Sequence, residues 1–453
     1  MLHRSPFAAL AYRLLTGCSL VLLLVACDRP FVPPAEPIIT ILAPSDPARI
    51  FFSPEVEVRI EASSFREIQR VEVGGNVLTF DDSEGNWHGT VSLSPGINDL
   101  EVTAFDVEEF PGSRTLSLAF LNPAYESGAP TLPDPWDLGG HTATLLNDGS
   151  VLVTGGSPNA FQSAVSNAFI LGPDANEFIA LPDNMRNSRY GHSATLLPDG
   201  RVLILGGSTT AAASTINQMV QNAEIYDPAT QTFSTIGFDS SPLERSEHVT
   251  FVTQGPTALI IDVYGGFGRD EIQGGEQLIT RPDIETYQLR GNTLFPSSNF
   301  SNSQILPAFG ISSTLLGNSA PGEPGRYLVS GSSFLESGAA NINFSINFDE
   351  TPIRVVILEE MLTPRIQHAS ATLEQGLVAI FGGFQGSRRN ATSSTEIFVE
   401  LNNRFSSIDS RVSTVRRFSH TATKLPSNRI LILGGFDETG DAIEESQYFT
   451  WGL

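Results

Sequence analysis

A recurring hairpin is the feature that most constrains how this chain can fold. Its clearest copy is Tyr190-Gly-His-Ser-Ala-Thr-Leu-Leu-Pro-Asp-Gly-Arg-Val-Leu-Ile-Leu-Gly-Gly207, in which two apolar, β-prone segments flank Asp199-Gly200. An Asp-Gly pair between such segments predicts a two-residue β-turn. Counting outward from the centre of that turn places His192 opposite Gly207.

The same hairpin occurs at other positions in the chain. Equivalent counting pairs His141 with Gly156, His368 with Gly383 and His420 with Gly435. Two weaker copies start at His248 and at Ile311. The glycines that end the second strands are Gly155, Gly156, Gly206, Gly207, Gly265, Gly266, Gly331, Gly382, Gly383, Gly434 and Gly435. The first glycines are separated by steps of 51, 59, 66, 51 and 52 residues, so we count six repeats.

Each repeat also contains a second strand pair. The segments Asn167–Phe178, Asn222–Phe233 and Ser394–Phe405 match one another position for position. A repeat therefore supplies four short antiparallel strands, which we call a, b, c and d. A period near 50 residues with four strands per repeat is typical of a β-propeller. Blades stack face to face, which explains continuous apolar strands such as Val202–Leu205.

The glycine pair after strand b, with Tyr226-Asp-Pro on strand c, resembles the kelch repeats of the galactose oxidase type. The resemblance covers about residues 125–453 and departs from the family in using Phe178, Phe233 and Phe405 where tryptophan is frequent. It implies an all-β fold, a six-bladed kelch β-propeller over residues 122–453. Residues Pro130–Asp134 resemble Ile179–Asp183 at the end of strand d, whereas the sixth repeat stops at its strand c. We therefore expect Ala129–Asp134 to complete the last blade and close the ring.

The N-terminal region predicts export and lipid anchoring. Residues 1–26 have a basic start and a short apolar run, which is typical of a signal peptide. The sequence Leu24-Val-Ala-Cys27 resembles a bacterial lipobox, which implies acylation of Cys27 and attachment to the inner or outer membrane of a Gram-negative cell envelope. An ordinary signal peptide or a single anchor helix is the alternative. Residues 27–37 are a proline-rich linker.

Residues 38–121 predict a small β-sandwich. Apolar residues alternate along short segments, as at Val56, Val58 and Ile60, and turn sequences separate seven or so strands. The stretch from Gly85 to Asp106 resembles bacterial immunoglobulin-like modules, which implies a spacing role. Trp87 is expected in the core of this domain.

Charge and cysteine content exclude several classes of function. The chain has 26 basic and 50 acidic residues, a formal net charge of −24, which disfavours nucleic acid and bare anionic lipid as partners. The cysteines are Cys18 and Cys27, so residues 28–453 contain no disulfide and no thiolate metal site. The copper chemistry of galactose oxidase requires a cysteine–tyrosine cross-link. It is excluded because the predicted propeller contains no cysteine. We expect no cofactor and no metal.

Two side-chain registers recur before strand a. Five histidines occupy the same position in their repeats, namely His141, His192, His248, His368 and His420. We interpret them as structural, because a metal site would not need five equivalent copies. Three residues earlier stand four arginines, Arg189, Arg245, Arg365 and Arg417, where the other two repeats have Leu138 and Ala308. Such a set could clamp an anionic group at the channel mouth. The alternative is an ion pair with an acidic neighbour in the adjacent blade.

Loop lengths place the expected binding surface. The b–c connections are long and uneven, and they share one end of the blades with the d–a connections. They are Ser157–Ser166, Ser208–Gln221, Phe267–Pro282, Ser332–Ala340, Phe384–Ser393 and Phe436–Glu444. We expect a monomer that binds a protein or glycan partner there without catalysis. The alternatives are a carbohydrate-active enzyme, such as the kelch proteins that isomerise sialic acid, and a structural spacer of the envelope. Convergent acids and histidines in the channel with one ordered ligand would favour the enzyme, and a channel plugged by apolar side chains would favour binding or scaffolding.

Overall fold

The structure is a computed structural model and describes most of the chain beyond residue 35. It covers residues 36–45, 50–240, 242–272, 275–281, 283–300, 309–317, 325–335, 338–348, 353–374, 376–386, 390–408, 413 and 415–452. The fold is all-β: the described helical turns are of the 3-10 type, at Ile216–Gln218 and Glu400–Asn402. Within these ranges, no helix has the length and apolar character needed to cross a membrane. The predicted signal peptide and Cys27 lie outside the described residues.

The first described region forms two sheets around one core. One sheet contains, in spatial order, Ile38–Ala43, Glu55–Ser63, Asn86–Ser92 and Thr79–Asp81. The other contains Ile50–Phe51, Pro111–Phe120, Gly96–Asp106, Ile68–Val73 and Asn76–Val77. Val56, Val58 and Ile60 alternate into the space between the sheets, and Trp87 lies in the same core. These nine strands exceed the seven or so expected, because short edge strands such as Asn76–Val77 carry little apolar pattern.

Six four-stranded antiparallel units follow, each with strands a to d in chain order. Units 1 and 2 are Thr142–Leu145, Val151–Thr154, Ala168–Leu171, Ile179–Ala180, and Ser193–Leu196, Val202–Leu205, Ala223–Asp227, Thr232–Phe238. Units 3 and 4 are Val249–Gln254, Leu259–Tyr264, Ile284–Arg290, Thr293–Phe300, and Phe309–Leu315, Arg326–Leu335, Gly338–Asn347, Arg354–Ile357. Unit 5 is Ala369–Glu374, Leu377–Phe381, Thr395–Val399, Arg404–Ser407. Unit 6 has strands a to c at Thr421–Lys424, Ile430–Leu433 and Gln447–Thr450.

Strand pairing beyond the four-stranded pattern occurs around unit 3. Its outer strand pairs in parallel with the outer strand of unit 2 at Gly237 and Thr293, which merges the two units into an eight-stranded sheet. A separate three-stranded sheet contains Arg245–Ser246, Phe267–Ile272 and Gly275–Thr280. The b–c connection of unit 3 is therefore a hairpin of its own.

The innermost strands of the six units contact one another in cyclic order, and strand a of unit 6 contacts strand a of unit 1. We call this arrangement the ring. The fourth strand of unit 6 is Ala124–Glu126, which pairs with the end of the chain at Tyr448–Thr450. The last unit is thus completed from the N-terminal side of unit 1.

The closing strand begins five residues earlier than the sequence comparison predicts. Residues Ala129–Asp134 form no strand. Ala129 and Leu132 are instead buried in the cluster that unites units 1 and 6. Leu132 and its counterpart Leu181 are equally buried, which is the likeness that the sequence comparison detected. The sequence likeness therefore reflects a buried leucine that follows strand d in both units, and not strand d itself.

The hairpin register also differs by one residue from the prediction. Ser193 pairs with Leu205, and Leu197 bonds to Arg201, so the turn is the three-residue loop Pro198–Gly200. Gly200 has φ of +87°, as a three-residue loop with a final left-handed residue requires. Extending this ladder places His192 opposite Gly206 instead of Gly207.

The two-sheet domain packs against the a–b turns of the ring. Ile50 and Leu121 belong to the same buried cluster as Leu377 and Trp451 of units 5 and 6. From this contact the strand Gly96–Asp106 runs away from the ring, and its far end lies beside the first described residues. The domain therefore separates the N-terminal linker from the ring.

Candidate functional site

The four arginines of the expected anion clamp are buried. Their exposed fractions are 0%, 1%, 1% and 2% for Arg189, Arg245, Arg365 and Arg417. In each, Nη1 donates to the carbonyl oxygen of the first glycine of the same unit, at 2.7 to 3.1 Å. The guanidinium groups therefore fasten each d–a connection to the end of strand b.

Three of the arginines also have a carboxylate partner on strand c. Arg189 lies 2.9 Å from Glu224, Arg245 2.6 Å from Glu285, and Arg365 2.5 Å from Glu396. These pairs lie within one unit, whereas the ion-pair alternative placed the partner in the adjacent blade. Because the guanidinium groups have no free face toward solvent, this geometry does not support the anion clamp.

The other units show what replaces the ion pair. Unit 1 has Leu138 at the arginine position and Phe169 at the carboxylate position, and both are fully buried. Unit 4 has Phe344 at the carboxylate position, while Ala308 lies outside the described residues. Unit 6 differs from all of these, because it combines Arg417 with the neutral Gln447.

The five histidines lie at the interfaces between units. In four of these histidines, Nε2 is hydrogen-bonded to a side-chain hydroxyl of the preceding unit. That hydroxyl belongs to the residue which follows the histidine position of the preceding unit. The pairs are His141 with Thr421 at 3.1 Å, His192 with Thr142 at 3.2 Å, His248 with Ser193 at 3.1 Å and His368 with Ser312 at 2.8 Å. At the interface of units 3 and 4, Val249 stands at the hydroxyl position and Ile311 at the histidine position, and neither side chain can form a hydrogen bond. His420 is the exception, because Ala369 offers it no hydroxyl.

The glycine pairs fit this arrangement. A Cβ at Gly206 would lie 2.6 Å from the His248 ring of the next unit, and one at Gly207 would lie 2.9 Å from Cβ of His192. The first glycine therefore makes room for the neighbouring histidine, and the second for the histidine of its own unit.

Burial keeps these histidines neutral. It lowers the pKa of His141 to about 4 and the pKa of His248 and His368 to about 3. A histidine cluster close enough to hold a metal ion, alone or with acids, is absent from the described residues. The histidine register therefore acts in the packing of the units, which agrees with its structural interpretation.

The residues that precede the histidine register surround the ring axis and share an unusual backbone conformation. Gly140, Gly191, Glu247, Gly310, Gln367 and Ser419 have φ between +52° and +66°. Backbone N–H groups link five of the six neighbouring pairs: Gly140 donates to Ser419, Gly191 to Gly140, Glu247 to Gly191, Gln367 to Gly310 and Ser419 to Gln367, at 2.6 to 3.0 Å. We call this circle the axial collar.

Three members of the axial collar are not glycine, although their φ values favour it. Their side chains form a continuous hydrogen-bonded chain. Gln367 Nε2 donates to Glu247 Oε1 at 2.8 Å, and Ser419 Oγ donates to Gln367 Oε1 at 2.9 Å. The chain ends at the Tyr190 hydroxyl, 3.1 Å from Ser419 Oγ. These side chains line a cavity of about 140 Å³, together with the five histidines.

A second axial cavity lies at the a–b end of the ring. It has about 620 Å³ and is lined by strands a of units 1, 4, 5 and 6, including Ala143, Leu315, Thr372 and Lys424. Lys424 is the only lysine of the chain, and its Nζ donates to the carbonyl oxygen of Leu373. The polar chain of the axial collar and this largely apolar cavity therefore give the two ends of the axis different chemistry.

The sequence analysis missed the axial collar. Its signal was present, since the residue before the histidine register is glycine in units 1, 2 and 4 and polar in the rest. Only the ring geometry shows that these positions meet around one axis. Polar residues in a conformation that favours glycine, brought together around one axis, make the collar the candidate site.

Comparisons with known proteins show a likeness of fold. No protein-family model matches the sequence, and no curated protein matches it. Among solved structures, the chain is similar to one titled "Structure of YjhT", with a TM-score of 0.54 and 16% identity over 72% of this chain and 100% of that chain. At that identity the likeness concerns the fold alone.

Proposed function

We propose that the six units are the blades of a kelch-type propeller and that the protein is a cell-envelope lipoprotein which binds a protein or glycan partner through it. The cyclic contacts between innermost strands support the first part. The axial collar supports the second, because Glu247, Gln367 and Ser419 keep a strained backbone conformation where three units use glycine. Their side chains line the axial cavity, and their carboxylate, amide and hydroxyl groups are of the kinds that bind hydroxyl and amide groups of a ligand.

The orientation of the domains agrees with an anchor at Cys27. The end of the two-sheet domain beside the first described residues bears the exposed apolar side chains Phe65, Val107 and Phe110. This end lies away from the ring by the length of the eleven-residue strand Gly96–Asp106, about 35 Å at the usual rise. The a–b turns then face the membrane, and the b–c connections face outward.

The b–c connections of neighbouring units contact one another at that outward end. Ala160 donates to the carbonyl of Gly440, and Ala164 to that of Thr209. The loops of units 6, 1 and 2 thus form a continuous surface, from which Phe161 projects with 61% exposure. An exposed aromatic side chain among polar loop residues is suited to contact with a macromolecular partner.

The test compares variants that keep the backbone and remove the side chain. Gln367→Gly and Ser419→Gly introduce the residue that other units have at this position, so the fold should be retained. Asn428→Gly is the matched control, because Asn428 also has positive φ but lies in the a–b turn of unit 6. Glycan arrays and pull-downs from envelope extracts should show ligands that wild type and Asn428→Gly retain and the collar variants lose. Equal binding by all variants would contradict a site at the collar.

Attachment has its own test. Cys27→Ser should release the protein from the membrane fraction, and mass spectrometry should find the mature wild-type chain acylated at Cys27. Membrane retention of Cys27→Ser would contradict the lipid anchor while leaving the collar proposal intact.

The enzyme alternative is a carbohydrate isomerase with its site in the same cavity. Glu247 favours it, as a carboxylate that could transfer a proton to or from a sugar hydroxyl. The histidines favour binding instead, because four of them have Nε2 bonded to a hydroxyl of the preceding unit. Turnover of sialic acid anomers that Glu247→Gln abolishes would decide for the enzyme.

A further inference from the structure

The interface between units 5 and 6 breaks both pairing patterns of the ring. Arg417 is 2% exposed, yet it forms no ion pair with any described residue, and its Nε atom has no hydrogen-bond partner. Its remaining bonds go to the carbonyl oxygens of Gly434 and Glu445. A buried guanidinium without a compensating charge is unfavourable.

The missing carboxylate can be traced to one residue. The carboxylate position on strand c lies opposite the strand-b residue that stands two positions before the first glycine. It holds Glu224 in unit 2, Glu285 in unit 3 and Glu396 in unit 5. In unit 6 the same ladder position holds Gln447. Its side-chain oxygen accepts from Ser413 Oγ at 2.6 Å. Neutral Gln447 therefore leaves Arg417 without a carboxylate in contact, and the Glu445 carboxylate acts on the guanidinium only through space.

His420 lies beside this arginine and is also without a partner. Both of its ring nitrogens lack a hydrogen bond, because Ala369 stands where the other interfaces have a hydroxyl. An imidazole in either tautomer carries one N–H, so the site contains two unused donors, one on each of Arg417 and His420.

A small cavity lies between these residues. It is lined by Arg417, His420, Ser393, Ser413 and Gln447, with Tyr125 of the closing strand. About 10 Å³ is open to the centre of a water-sized sphere, which is room for one small species. The cavity has a local cause: four residues before the arginine, units 2 and 5 have Met185 and Met361, both buried, and unit 6 has Ser413. In unit 2 the methyl end of Met185 lies against Gly155.

We infer that this cavity is a binding site for one monatomic anion, chloride under ordinary conditions, which neutralises Arg417 and accepts hydrogen bonds from Arg417 and His420. Three differences from units 2 and 5 produce it together: the carboxylate becomes an amide, the interfacial hydroxyl becomes a methyl, and the filling methionine becomes serine. A water molecule would fit the space but would supply no negative charge.

The site joins the closing strand to its neighbour. Tyr125 lines the cavity, and its hydroxyl is hydrogen-bonded to Thr395 Oγ1 of unit 5. Anion binding should therefore stabilise the interface at which the two ends of the ring meet.

The experiment measures thermal unfolding of the full chain in sodium chloride and in sodium gluconate at equal ionic strength. Gluconate is too large for the cavity, so the midpoint should be higher in chloride by about 3 °C or more at saturating halide. Crystals grown in sodium bromide should show an anomalous peak in the cavity.

Two variants separate an anion from a water. Gln447→Glu restores the carboxylate of the other units, and Ser413→Met fills the cavity without adding charge; both should abolish the chloride dependence and the bromide peak. Glu396→Gln is the matched control, since it removes a carboxylate where Met361 leaves no cavity, and it should lower the midpoint equally in both salts. An equal midpoint in both salts for wild type, or density without an anomalous signal, would overturn the proposal.

Discussion

The Nε2 atom of His192 lies 3.2 Å from Oγ1 of Thr142, the residue that follows the histidine of the preceding unit. Repeated at four of the six interfaces, this relationship couples neighbouring units through a neutral imidazole. It also makes the stability of the ring depend on protons.

We expect acid to destabilise the ring through its histidines. Burial lowers the pKa of His248 from 6.5 to about 3, so the unfolded chain binds a proton between these values and the folded chain does not. Stability is therefore complete above pH 6.5 and is lost as the pH falls, by about 1.4 kcal/mol per unit for each such histidine. We expect the free energy of unfolding of His248→Gln to change less steeply with pH across this range, by the amount that one bound proton contributes. Chemical denaturation at several pH values measures this slope.

A second variant separates titration from packing. Ser193→Ala removes the hydroxyl partner of His248 and keeps the imidazole. It should lower the stability at every pH and retain the wild-type slope. A slope that changes in Ser193→Ala but not in His248→Gln would contradict the assignment.

Asp262 should have the opposite pH dependence. It lies on strand b of unit 3, and burial raises its pKa from 3.8 to about 6, with Thr286 donating to the carboxylate. The folded chain thus binds more protons between these values, and stability falls as the pH rises through them. Asp262→Asn should raise the free energy of unfolding at pH 7 by up to about 3 kcal/mol, and by nothing below pH 3.8. Asp148→Asn, on an exposed turn, should show no such gain.

The buried ion pairs predict large effects when one partner is removed. Arg365→Ala leaves Glu396 buried without its positive partner and should cost about 3–5 kcal/mol. The double variant Arg365→Leu with Glu396→Phe copies the apolar pair of unit 1 and should recover most of that loss. Arg201→Ala breaks a pair at the exposed Asp199 turn and should cost less than about 1 kcal/mol. Equal losses at both sites would mean that burial does not govern these pairs.

Closure of the ring predicts a global effect from three residues. Replacing Ala124–Glu126 with glycines removes the side chains that pack on Phe449 and weakens the strand that joins the two ends. Hydrogen exchange should then increase in units 1, 5 and 6 together. The same replacement of Arg354–Ile357, the outer strand of unit 4, should affect that unit alone. An effect confined to unit 6 in the first variant would contradict closure by this strand.

Periodicity in the sequence was sufficient for the four-stranded repeat, but not for the closing strand or for the extra hairpin of unit 3. Strands b and c of units 2 and 5 lie within the predicted segments, because alternation and turn residues are local properties. The one-residue register error arose because Asp199-Gly200 suits both a two-residue and a three-residue turn, and Leu197 decides between them by its bond to Arg201.

The site was harder to predict, since it depends on contacts across the ring. An arginine that recurs in sequence suggests a surface clamp or an internal pair equally well, and only the position of Glu224 or Glu396 beside it separates the two. The axial collar joins Glu247 to Gln367 across 120 residues of sequence, a contact that no local pattern reveals.

The pairing of Tyr125 with Phe449 has a consequence for biogenesis. Synthesis from the N-terminus delivers the closing strand 324 residues before its partner (449 − 125). Until residues 447–450 have been made, Ala124–Glu126 has no strand to pair with. Ring closure therefore has to wait for Gln447–Thr450, and a chain that lacks this strand keeps an unpaired edge.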